Sequence, residues 1–138
     1  MKNIKIILVD DNSGFRECLK TLLVHEHNVT IIGEASNAEE FWKIDKYWLA
    51  DIILMDIMMP NGNGIDLTKK IRWQYLHLKI IAITMHIDKV YLTSLIQAGF
   101  FGCIFKDNLF NTIDKTFHKV LDGHLCFPNN MQLGTTAV

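Results

Sequence analysis

Apolar residues fall along this chain in two alternating patterns. Short continuous runs at residues 4–9, 29–35, 51–56, 79–84 and 102–105 are rich in Ile, Val and Leu and are bounded by turn residues. Such runs suit strands covered on both faces, the habit of parallel sheets. Between them lie stretches in which apolar side chains recur every three or four residues, as on one face of a helix. The first places Phe15, Leu19, Leu22 and Leu23 on one stripe and Arg16, Glu17 and Lys20 on the other, with Ser13 as its cap. The second starts on Asn37 with Glu39 and Glu40 in its first turn, carries Phe41 and Ile44 inward, and packs Trp42, Tyr47 and Trp48 around its end. The third, residues 64–75, buries Ile65, Leu67 and Ile71. The fourth is capped by Asp88, turns Leu92, Leu95 and Ile96 inward, and stops at Ala98-Gly99, where glycine suits a left-handed end. The last begins at Asp107 or Asn108 and buries Leu109, Ile113, Phe117, Val120 and Leu121.

Strand and helix thus alternate five times. That order predicts the α/β class: a flavodoxin-like, doubly wound, five-stranded parallel sheet in the order 2-1-3-4-5, sandwiched as α/β/α with right-handed crossovers. Residues 1–122 form one domain. Residues 123–138 are polar and aperiodic, with a turn signal at Pro128-Asn129-Asn130, and read as a linker or C-terminal tail without a core pattern of its own.

Composition narrows the function. With 138 residues, 49% of them hydrophobic, the chain has the size of one globular domain. No apolar run approaches the roughly 20 residues that span a bilayer, and the N-terminal run is too short for a secretory signal, so a cytoplasmic location and no membrane partner are expected. A formal net charge of -1, with Lys69, Lys70 and Arg72 as the strongest basic cluster, argues against direct nucleic-acid binding by this segment. Cys18, Cys103 and Cys126 lack metal-ligand spacing, and none of the six histidines forms a metalloenzyme pair.

The candidate chemistry lies at the strand ends. In a parallel sheet, Asp10, Asp11, Asp56, Thr84 and Lys106 all reach the carboxyl edge, and the switch point of the 2-1-3-4-5 order sets the three acids across one crevice. Clustered carboxylates must take up protons or bind a cation. An all-oxygen set favours Mg2+, whose natural partner is phosphate. Lys106 offers a charge and Thr84 a hydroxyl to a phosphoryl group, and Asp56 is the candidate nucleophile, forming an acyl phosphate.

Val9-Asp10-Asp11, Met55-Asp56-Ile57-Met58-Met59-Pro60 with Gly64 following, Ile83-Thr84-Met85-His86, and Ala98-Gly99 leading to Lys106-Asp107 resemble the receiver domains of two-component response regulators. The wording of residues 29–35, 84–86 and 106–107 looks like the NarL/FixJ (LuxR-type) subfamily. The resemblance implies that Asp56 accepts phosphate from a sensor histidine kinase. It also implies that Asp11, Asp56 and the Met58 carbonyl bind Mg2+, with Asp10 helping through water. Thr84 and Lys106 would engage the phosphate, the domain would dimerise, and DNA would be reached only through a C-terminal helix-turn-helix outside this chain. Such a module is not an enzyme beyond its own phosphorylation and dephosphorylation.

The pattern also departs from the family. Cys103 stands where an aromatic relay residue is common, and Phe100 and Phe101 replace a small and a polar residue; one of them is expected to fill the space beside Cys103, or Phe101 to join a dimer patch. Lys106-Asp107 replaces a frequent lysine-proline pair. Met58 and His86 flank the path of attacking water and are expected to set the lifetime of the phosphorylated form. Two other classes remain open: a receiver-like interaction domain that works without phosphorylation, and an aspartate-nucleophile phosphatase, which the absence of D-x-D after the first strand disfavours.

Overall fold

The computed structural model describes residues 3–26, 28–59, 62–85 and 91–134. Five strands, β1 (Ile4–Val9), β2 (Val29–Ala35), β3 (Ile52–Asp56), β4 (Lys79–Thr84) and β5 (Gly102–Phe105), form one parallel sheet. Its order is β2-β1-β3-β4-β5, as the alternation predicts. The helices are α1 (Ser13–Glu26), α2 (Ala38–Trp42), α3 (Gly64–Gln74), α4 (Leu92–Ala98) and α5 (Leu109–Leu121).

Strand side chains alternate between two cores because the side-chain period of a strand is two. Ile7, Val9, Ile53, Met55, Ile80, Ala82 and Cys103 share one layer with Phe41, Leu67, Ile71 and Leu95 of α2, α3 and α4. Ile6, Leu8, Ile52, Leu54, Ile81, Ile83 and Ile104 share the other with Leu19 and Leu23 of α1 and Ile113, Phe117 and Val120 of α5. Each fully buried Ile or Leu contributes roughly 1.5–3 kcal/mol, so β3, buried on both faces, anchors whatever its end carries.

Several local expectations are corrected. Asn12, not Ser13, caps α1: its Oδ1 accepts from the Phe15 N–H at 3.0 Å, and Ser13 is already the first helical residue. Asn37 does cap α2, accepting from the Glu40 N–H at 2.8 Å. That helix is one short turn, and the chain reverses at left-handed Lys46 into a 3-10 turn, Tyr47–Leu49, so Ile44 packs inward from beyond the helix. Ile96 is 45% exposed and Leu121 37% exposed. Each directly follows an inward residue, Leu95 or Val120, and a step of about 100° turns it out of the apolar stripe. The Asp88 cap lies outside the described residues.

The largest difference concerns the C-terminal segment. Met131 is 8% exposed and belongs to the first core layer, with Phe127 packed against the same layer. Leu125 and Leu133 of the same segment are exposed, so the inward side chains leave no periodic trace in the sequence.

Candidate functional site

The parallel register sets the strand ends level: Val9 pairs with Met55, Asp56 with Ile83, and Thr84 with Phe105. Asp10, Asp11, Asp56, Thr84 and Lys106 are therefore delivered to one edge. Oxygens of Asp10, Asp11 and Asp56 lie within 4.8 Å of one another. Lys106 Nζ stands 2.8 Å from Asp10 Oδ2 and 3.8 Å from Asp56 Oδ2. Asp10 and Asp56 are 3% and 5% exposed, whereas Asp11 faces solvent. Thr84 is fully buried at the end of β4.

Backbone donors orient the two buried acids. The Asn12 N–H donates to Asp10 Oδ1 at 2.9 Å, and the Met58 N–H to Asp56 Oδ1 at 3.2 Å. Burial, then the Asp10 charge, push the Asp56 carboxyl up to about 7, against the pull of Lys106 and the Met58 N–H. Asp10 Oδ2 is buried and accepts no well-aligned hydrogen bond among the described residues, although the Lys106 ammonium stands beside it. An acidic crevice in which one carboxyl resists ionisation and one buried oxygen lacks a full partner suits a hard cation with water ligands.

Gly64 explains the spacing of the motif that follows Asp56. A Cβ there would run into the Asp56 carbonyl and come within 2.7 Å of Met55 Cγ. The Gly64 N–H also donates to the Ile57 carbonyl at 3.0 Å, and the Ile57 N–H to the Ile83 carbonyl at 3.3 Å, which fixes the loop after Asp56 to β4 and α3. A short antiparallel ladder, Met58–Met59 with Gly62–Asn63, closes that loop, and Asn63 caps α3 through the Asp66 N–H at 2.9 Å.

Two residues assigned above only to faces of α1 take part in the site. The Phe15 ring lies 4.3 Å from Lys106 Nζ, a cation–π contact that parks the ammonium between the acids. Arg16 Nη1 donates to the Asp10 carbonyl and, at 3.3 Å, to Ser36 Oγ, while its Nε pairs with Glu34 Oε1 at 3.0 Å, tying the acidic turn to β2. Their places just past Asp10-Asp11 were the available signal; a helical stripe alone reads Arg16 as solvated.

Among the tuning residues, Met58 has an exposed side chain, and His86 lies outside the described residues. Cys103 is buried, and desolvation pushes its thiol up to about 12. Phe100, 2% exposed, fills the same core layer as Cys103. Phe101 is half-buried between the Arg72 guanidinium and the Lys79 ammonium, 5.2 and 5.4 Å from its ring centroid.

Comparison with known proteins agrees with this geometry. Residues 6–118 match the family model of the response regulator receiver domain. The transcriptional regulatory protein LnrK of Bacillus subtilis is 34% identical over 125 residues, 91% of this chain and 57% of that protein. The response regulator UvrY of Escherichia coli is 32% identical over 103 residues, 75% of this chain and 47% of that protein. The chain thus spans about half the length of the curated relatives it matches. The crystal structure of a LuxR-family two-component response regulator from Aurantimonas superposes with a TM-score of 0.85 at 25% identity, covering 94% of this chain and 93% of that one. With its strand order, its level acids and these relatives together, the chain belongs to the response regulator receiver domains of two-component systems, of the NarL/FixJ type.

Proposed function

We propose that Asp56 is the phosphoacceptor of a phosphorelay. The observation that carries this reading is the meeting of three carboxylates and Lys106 at one sheet edge, with Asp56 at its centre. An Asp56 carboxylate oxygen attacks the phosphorus of a phosphohistidine on a sensor histidine kinase. The P–N bond breaks, the imidazole leaves as the neutral ring with the proton already on its other nitrogen, and an aspartyl phosphate remains.

Asp11, Asp56 and the Met58 carbonyl would hold Mg2+, with Asp10 acting through water. When bound, the ion neutralises charge on the phosphoryl oxygens. Lys106 shares that task and is already held near Asp56 by Asp10 and Phe15. Thr84 donates its hydroxyl to the phosphate, and Met58 and His86 tune access of water. The chain acts as a cytoplasmic signalling module whose phosphorylated form dimerises and controls transcription through a DNA-binding domain beyond residues 123–138. Among the described residues no helix is long and apolar enough to cross a membrane.

Intact mass after treatment with acetyl phosphate and Mg2+ tests the reading. The wild type is expected to gain one phosphoryl group, lost again over time, and Asp56→Ala none. An unmodified wild type sinks the proposal. Replacing Met58 and His86 together is expected to change the rate of phosphate loss.

A further inference from the structure

Residues 124–134 are seated on the domain at two ends. At the first, the Cys126 N–H donates to the Phe101 carbonyl at 2.8 Å and the Cys126 carbonyl accepts from the Cys103 N–H at 3.2 Å, pairing the segment with the edge of β5. At the second, the carbonyls of Gln132 and Leu133 accept from the N–H groups of Leu92 at 2.8 Å and Thr93 at 3.1 Å, and the Thr93 hydroxyl also donates to Leu133. Phe127 and Met131 enter the core between these ends.

Glycines make room at both. A Cβ on Gly102 would come within 2.6 Å of the Cys126 carbonyl. At Gly134, in the left-handed region with φ +86, a Cβ would come within 2.7 Å of Tyr91 Cβ.

A cleft of about 420 Å³ separates part of this segment from α5, and Met85, Cys103, Asp107, Cys126, Phe127 and Pro128 contribute to its walls. Met85 directly follows Thr84, and Asp107 directly follows Lys106. The walls therefore begin one residue beyond each group that would bond a phosphoryl.

We propose that residues 124–134 are a displaceable strap across β5 and α4, and that phosphorylation of Asp56 loosens it. The loosening rests on the phosphoacceptor reading; the seating does not. Drawing Thr84 and Lys106 toward a phosphoryl on Asp56 pulls Met85 and Asp107 away from Phe127 and Pro128, widening the cleft beneath the strap. The strap is held by a few backbone hydrogen bonds, each of modest net worth, and by two apolar side chains, so a small change in the walls shifts its population. A loosened strap frees the edge of β5 and carries the signal into the chain that follows.

Amide hydrogen exchange of the full chain, followed at Leu92, Thr93, Cys103 and Cys126 with intact mass in parallel, tests both halves. In Gly134→Val the Leu92 and Thr93 amides are expected to exchange about tenfold faster, with the thermal midpoint nearly unchanged. Unchanged exchange there overturns the seating. In wild type shown by mass to carry phosphate, all four amides are expected to exchange about tenfold faster; unchanged or slower exchange overturns the loosening. A wild type that takes no phosphate overturns the phosphoacceptor reading and the loosening with it, while Gly134→Val still decides the seating.

Discussion

Asp56 sits where its own ionisation is opposed, first by burial and then by the Asp10 charge. Its carboxyl moves from 3.8 in the open chain to about 7 in the fold. Between those values the folded state holds more protons than the unfolded state, so the contribution of this carboxyl to metal-free stability is full in acid and is lost as pH rises to about 7. By about 1.4 kcal/mol per pH unit, the loss has an upper figure of about 4 kcal/mol. Asp56→Asn is expected to remove that dependence and to be more stable than wild type at pH 8 without Mg2+, as read by urea unfolding across pH. Mg2+ is expected to narrow the gap by favouring the charged carboxylate. The position of this acid is legible in the sequence, because it ends an apolar run; its protonation is not, because Asp10 and Lys106 arrive from other strands.

At the scale of elements, the turn after β3 shows what a motif glycine is for. Gly64 lets the first turn of α3 lie against the Asp56 backbone, where any Cβ would displace the proposed phosphoacceptor. Gly64→Ala is expected to cost about 1–3 kcal/mol in urea unfolding and to weaken Mg2+ binding, because the strain falls on Asp56 and Met55. If Mg2+ affinity is unchanged, the close approach does not position the acid. Asn37 was readable as a cap from the acids that follow it. Asn12 was not, because Ser13 beside it is an equally good cap and only the chain's exit from β1 decides between them.

Across the molecule, the face opposite the strand ends is closed by aromatic rings. Phe41, Trp42, Tyr47, Trp48 and Tyr75 pack edge-on, tilted or stacked with centroids 5.0 to 6.2 Å apart, joining the end of α2, the 3-10 turn and the end of α3. Tyr47 contacts each of the other four. Tyr47→Ala, at a partly buried side chain, is expected to destabilise by about 1–3 kcal/mol. Trp73→Ser, at a side chain 89% exposed, is expected to change stability by less than about 0.5 kcal/mol. Comparable costs at the two positions, by urea or thermal unfolding, would remove the cluster from its proposed structural role.

The sequence by itself determined the strands, their parallel order and the five residues at their carboxyl edge. Period and composition are local properties, and right-handed crossovers leave few ways to wind the alternation. The tertiary structure decided what depends on residues distant along the chain. Phe15 and Arg16, a stripe and a polar face in one dimension, become supports for Lys106 and Asp10 because α1 leans over the strand ends. Residues 124–134, aperiodic and polar as a string, become a seated segment because Gly102 and Gly134 leave room for their backbone and neighbours. Contacts made one at a time with separate elements impose no repeat on a sequence, so only the folded chain displays them.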